Sequence, residues 1–101
     1  MGLAIHVDRR KIAEFCRERH IRRLALFGSV LREDFRPESD VDVLVEFEPG
    51  HVPGLIRLGA MAEGLSALLG VPVVDLRTPE DLSEHFRDEV LAVAQVQYAR
   101  P

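Results

Sequence analysis

Apolar and polar residues are interleaved in blocks whose spacing changes along the chain, and each change marks a predicted element. Ile12, Phe15 and Cys16 recur at helical spacing, with Arg9, Arg10 and Arg17 elsewhere around the same turns. That pattern predicts a first helix from an Asp8 cap to about Arg19. Arg23-Leu24-Ala25-Leu26-Phe27 is a short apolar run stopped by Gly28 and reads as a buried strand. A short helix is expected from Ser29 to about Glu33, followed by a loop through Arg36-Pro37-Glu38-Ser39. From Asp40 to Phe47 the period is two, so Asp40, Asp42, Leu44 and Glu46 share one strand face and Val41, Val43, Val45 and Phe47 the other.

Two Pro-Gly pairs in residues 48–54 make a loop before a long helix from about Leu55 to Leu69. Its predicted buried stripe is Leu55, Ile56, Leu58, Met61, Leu65, Leu68 and Leu69, and Gly70 stops it. Val71-Pro72-Val73-Val74-Asp75-Leu76 is a third strand, with Asp75 on the face of Val73 and Pro72 suited to its start or to a sheet edge. Thr78-Pro79-Glu80-Asp81 has the form of a helix start, with a threonine cap, proline at the first position and acids in the first turn. Leu82, Phe86, Val90, Leu91 and Ala94 continue a helical stripe, with a break expected near Arg87, so helix is expected to cover the C-terminal end.

With 101 residues the chain is expected to be one domain over 1–101, and its 47% hydrophobic and 30% charged content is that of a folded globular protein. No apolar run approaches the ~20 residues needed to span a bilayer, and the N-terminus lacks the apolar stretch of a signal peptide. A cytoplasmic location without membrane contact is the expectation. One cysteine, Cys16, excludes an internal disulfide and a cysteine zinc cluster, and its place in the apolar set makes it core filler. The net charge of −4 conceals an asymmetry: residues 1–36 carry +4 and the remainder −8. The basic front half suits a nucleotide, nucleic acid or an acidic surface, or is simply a solvated helix face. No basic groove with interleaved aromatics is visible, which argues against a nucleic-acid substrate.

The chemistry concentrates at two places. Gly28 permits close backbone approach, and Ser29 with the amides after it makes a turn of the shape that receives phosphate. After ten intervening residues, Asp40 and Asp42 open the next strand, and Asp75 comes from another. Three carboxylates so placed are hard oxygen ligands suited to Mg²⁺, and two such ions clamp the attacking and leaving oxygens of an in-line phosphoryl displacement. His6, His20, His51 and His85 are dispersed without zinc-type spacing, and no G-x-S-x-G elbow surrounds Ser29. Glu46 is too far along the strand from Asp42, roughly 13 Å at ~3.3 Å per residue, to join the set.

Gly28-Ser29, ten residues, then Asp40-Val41-Asp42 resembles the G-S-x₁₀-D-x-D signature of the minimal nucleotidyltransferases, a branch of the DNA polymerase beta superfamily. The resemblance runs through Leu26-Phe27-Gly28-Ser29, Arg32 and Ser39 to Phe47, on to Val74-Asp75-Leu76, and into the tail Phe86 to Leu91. It implies an α/β (α+β) nucleotidyltransferase fold, a small mixed sheet flanked by helices. It further implies that Asp40, Asp42 and Asp75 form the catalytic and metal site, and that Gly28, Ser29, Arg32 and Ser39 bind the nucleotide. Two Mg²⁺ ions and ATP as substrate go with it, as does a HEPN-domain ribonuclease toxin that is modified on tyrosine by AMP and thereby neutralised. Glu33 departs from the family, where glycine is frequent. Two alternatives stay open: an antitoxin that acts by binding alone, and transfer to a small molecule, for which a homodimer would supply the acceptor site. Tyr98 is either a self-modification site or, preferably, a packing residue of the tail.

Overall fold

A computed structural model describes residues 5–32, 35–36 and 38–100. Helix α1 spans Arg9–Glu18, and the Asp8 carboxylate accepts hydrogen bonds from the Arg10 and Lys11 amides, satisfying donors that a helix start leaves open. Strand β1 is Ile21–Phe27, a 3₁₀ turn covers Gly28–Leu31, and β2 is Val41–Phe47. Helix α2 spans Leu55–Leu69 and ends at Gly70, whose φ of 68° is the left-handed conformation that glycine adopts without penalty. Strand β3 (Val74–Arg77), a 3₁₀ turn over Pro79–Asp81, helix α3 (Glu84–Val93) and strand β4 (Gln95–Ala99) complete the described chain.

The four strands form one mixed sheet in the order β3-β2-β1-β4, with β1 antiparallel to β2 and β4, and β2 parallel to β3. Strand alternation divides the core. Leu24, Leu26, Val41, Val43 and Val45 pack against Ile12, Phe15 and Cys16 of α1 and Met61, Leu65 and Leu69 of α2. On the opposite face Phe27 and Leu44 pack against Leu82 and Val90, so α3 crosses that face as it carries the chain from one edge strand to the other. Among the described residues no helix is long and apolar enough to cross a membrane.

Several expectations need correction. The C-terminal end is not helical: α3 stops at Val93, and Gln95–Ala99 pairs with β1, half-burying Tyr98 against the core. The helical stripe ending at Ala94 gave no hint of this short edge strand. The interruption also lies earlier than Arg87: the Pro79–Asp81 turn ends at Leu82, Ser83 caps α3, and Arg87 lies inside it. In α2, Leu55 and Ile56 are 87% and 92% exposed, outside the buried stripe of Met61, Leu65 and Leu69. At ~100° per residue Ile56 falls about half a turn away from that stripe. His20 and His51, remote in sequence, stack with ring centroids 3.8 Å apart at the end of the sheet where β1 begins.

Candidate active site

The site is built where β1 ends and β2 begins. Gly28 follows β1 with φ +77°, a region open to glycine and strained for other residues. A Cβ there would lie 2.1 Å from Oδ2 of Asp42 and 3.0 Å from its Cγ, so the absence of a side chain lets the turn lie against that carboxylate. The Ser29 hydroxyl donates to the backbone carbonyl of Asp40 over 3.3 Å, tying the turn to the first residue of the acidic pair. Ser39 closes the preceding turn through its amide, which donates to the Arg36 carbonyl at 2.9 Å. The Val41 amide then donates to the Val73 carbonyl, starting the parallel pairing of β2 with β3.

That register sets Asp42 beside Phe27 on one side and Asp75 on the other. Asp40 precedes the strand and is exposed. Burial, then the charge of Asp75, pushes the Asp42 carboxyl above the usual carboxylate range; Asp40 adds to the rise and Arg77 opposes it. Arg77 grips Asp75 with two hydrogen bonds, from Nε to Oδ1 at 3.1 Å and from Nη2 to Oδ2 at 3.2 Å. Glu46 belongs to the other end of β2, where it pairs with Arg22 at 3.3 Å and Arg23 at 3.8 Å.

Thus Gly28, Asp42 and Asp75 lie together, and Ser29 is bonded to the main chain of Asp40. Arg32 is exposed and lines a cleft of about 560 Å³ that reaches Asp42. Ser39 is held by its backbone, and Glu33 lies outside the described residues. Among the described residues no three His, Cys, Asp or Glu side chains converge as a closed ligand set. The donor chemistry nonetheless fits Mg²⁺, which keeps several waters and completes its shell with substrate phosphates. Asp42, raised in pKa by burial and then by two neighbouring carboxylates, is a group that a cation would relieve. The sequence reading passed over Arg77; its signal was the position two residues after Asp75, on the same strand face. The α3 side of the cleft, with Phe86 and Glu89, was also missed, because Phe86 counted only as core.

Residues 9–96 match the family model of the nucleotidyltransferase domain. The protein adenylyltransferase MntA of Thermococcus cleftensis is 43% identical over 71 residues, which is 70% of this chain and 69% of that protein. A solved structure provisionally assigned as a minimal nucleotidyltransferase superposes with a TM-score of 0.69 at 35% identity, covering 85% of each chain. A toxin–antitoxin complex with AMP-PNP superposes with a TM-score of 0.71 at 22% identity, over 92% of this chain and 74% of that one.

Proposed function

The chain belongs to the nucleotidyltransferase domain family, and on that premise we propose that it is an antitoxin transferring AMP from ATP to a tyrosine of a HEPN-domain toxin. The observation that carries the reading is the Gly28 turn lying against Asp42, with Asp75 at the paired position of β3 and the Ser29 hydroxyl bonded to the main chain of Asp40. Asp40 and Asp42 would hold Mg²⁺, with Asp75 as the third carboxylate. The ions supply charge stabilisation to the attacking and leaving oxygens of the transfer. The Gly28–Leu31 turn offers its amides to the β- and γ-phosphates, with Arg32 directly after it on the same cleft. Ser39, in the turn before the acidic pair, completes the nucleotide-binding edge. Asp75, aimed by Arg77, receives the proton of the tyrosine hydroxyl. The tyrosine oxygen bonds to the α-phosphorus while the bond to the β-phosphate oxygen breaks, releasing pyrophosphate.

The relative named protein adenylyltransferase and the toxin–antitoxin neighbour support an acceptor on a second, different protein rather than the homodimer considered from sequence. Such a reaction belongs in the cytoplasm, where ATP and Mg²⁺ are at hand. The test is incubation with α-labelled ATP, Mg²⁺ and the HEPN protein encoded beside this chain. Label is expected on a partner tyrosine and is lost with Asp40→Asn plus Asp42→Asn. An unlabelled partner alongside an active control enzyme refutes the proposal. Neutralisation by binding alone, the alternative left open by the sequence, would instead leave that double variant still able to silence the toxin.

A further inference from the structure

A second cleft, of about 500 Å³, lies where the sheet begins, between the end of α1, the loop over residues 48–54 and the first turns of α2. His20 immediately precedes β1 and Gly28 immediately follows it, so at ~3.3 Å per residue the two clefts stand roughly 25 Å apart. Arg19, His20, His51 and Arg57 bring nitrogen donors to the lining, and Glu18 is its one acid. These donors are held in place by the fold. The Arg19 guanidinium lies 3.8 Å from the Phe15 ring centroid and spends one N–H on the Phe15 carbonyl at 3.4 Å, which fixes the group and leaves donors to spare. Arg57 makes no ion pair among the described residues. The Glu48 amide donates to the His20 carbonyl at 2.9 Å and the His51 amide to the Glu48 carbonyl at 3.0 Å, so the backbone holds the two imidazoles in their stack, 15° from parallel. The Glu48 carboxylate is taken by Arg100 and does not serve as their anion. His20 keeps its place at φ +58°, just past a helix end, where glycine would make the same turn without cost. The turn does not need this side chain.

Guanidinium and imidazole donors gathered around one cleft match a phosphate, whose dianion presents three oxygens where a carboxylate presents two and a single charge. The cleft is far larger than a bare phosphate, and Val52, Pro53 and Met61 give it apolar walls. We infer that this cleft binds a phosphomonoester with an apolar body, the phosphate held by Arg19, Arg57 and the stacked histidines, the body against Val52 and Pro53. The site is separate from the Gly28 turn, and its occupancy does not depend on the proposed reaction.

The experiment is calorimetric titration of the full chain, in EDTA to keep divalent ions from the aspartates, with phenyl phosphate, inorganic phosphate and benzoate as probes. The wild type is expected to bind phenyl phosphate at one site, at least about tenfold more tightly than inorganic phosphate, which lacks the ring, or benzoate, which lacks the dianion. Arg57→Ala and His51→Ala, both at exposed positions, each weaken phenyl phosphate about tenfold or more. His20→Gly weakens it by a similar factor while its urea midpoint is no lower than that of the wild type, because glycine suits the backbone there. Arg32→Ala, in the cleft that reaches Asp42, leaves the affinity unchanged. A wild type that does not bind phenyl phosphate overturns the inference, as does wild-type affinity retained in Arg57→Ala and His51→Ala, or a loss confined to Arg32→Ala. Benzoate or inorganic phosphate binding as tightly as phenyl phosphate also overturns it. All these results leave the proposed function standing, since that is read from label on the partner.

Discussion

Gly28→Ala is the most discriminating perturbation of the site. The new methyl group acts twice. It places a side chain at φ +77°, which costs about 1–2 kcal/mol for an L-residue in the left-handed region. It also enters the space of the Asp42 carboxylate, 2.1 Å from Oδ2 and 3.0 Å from Cγ, so the carboxylate must swing away. Forcing such displacement in packed surroundings costs about 1–3 kcal/mol more. The total loss of stability is therefore about 2–5 kcal/mol. The two parts separate in a double-mutant cycle with Asp42→Ala, because that change removes Oδ2 and Cγ and leaves only the 3.3 Å approach to the Asp42 Cβ. Urea denaturation of the four proteins in EDTA gives each free energy. Gly28→Ala should cost about 1–2 kcal/mol in the Asp42→Ala background, with a coupling of about 1–3 kcal/mol between the sites. An equal cost in both backgrounds would mean that the turn does not lie against the carboxylate.

Two further outcomes follow from the titrating groups. The pKa of Asp42 is raised in the folded protein, so its ionisation opposes folding; its contribution to stability is full below the ordinary carboxylate pKa and is lost as pH rises through the raised value. Asp42→Asn should remove that part of the profile and, in EDTA at pH 7, stabilise the protein modestly, by about 0.2–1 kcal/mol once solvent screening of this part-exposed group is allowed for; urea midpoints from pH 4 to 8 measure it, and a variant no more stable than wild type contradicts it. Cys16 is fully buried, and burial pushes its thiol up to about 12 against the pull of Arg19 and Arg17. A disulfide reagent at pH 8 should therefore label the native protein at least about a thousandfold more slowly than the urea-unfolded chain, and rapid native labelling would show that α1 does not cover it.

The central part of this fold was legible because its signals were local. The alternation from Asp40 to Phe47 reported the two faces of β2, and the apolar run ending at Gly28 reported β1. Gly70 marked the end of α2 through backbone conformation alone. What escaped depended on partners distant in sequence. Gln95–Ala99 pairs with the edge that β1 offers, and its one local signal, the alternation of Val96 and Tyr98 with Gln95 and Gln97, is only five residues long and follows directly on a helical stripe. Ile56 counted as core because it is apolar, although its angle around α2 turns it to solvent. The site divides in the same way. Asp42 is placed by strand period, Asp40 lies one residue before the strand, and the neighbourhood of Asp75 follows once the β2–β3 register is known. Spacing places Arg77 on the face of Asp75, but the grip between them and the meeting of Phe86 and Glu89 with the Gly28 turn in one cleft depend on side-chain placement and on how α3 packs.

The place of β4 bears on how the protein is made. Synthesis delivers β1 first among the strands and β4 last, yet the two are neighbours in the sheet. Until residues 95–99 have left the ribosome, the strand that leads into the Gly28 turn keeps one edge unpaired. An open edge on a buried, apolar strand is a template for other chains. A product stopped at residue 94 would retain every residue of the signature and all three aspartates, but would present Ile21–Phe27 as a sticky border. Premature termination thus creates an aggregation hazard as well as a loss of function, and rapid arrival of the last strand protects the nascent chain.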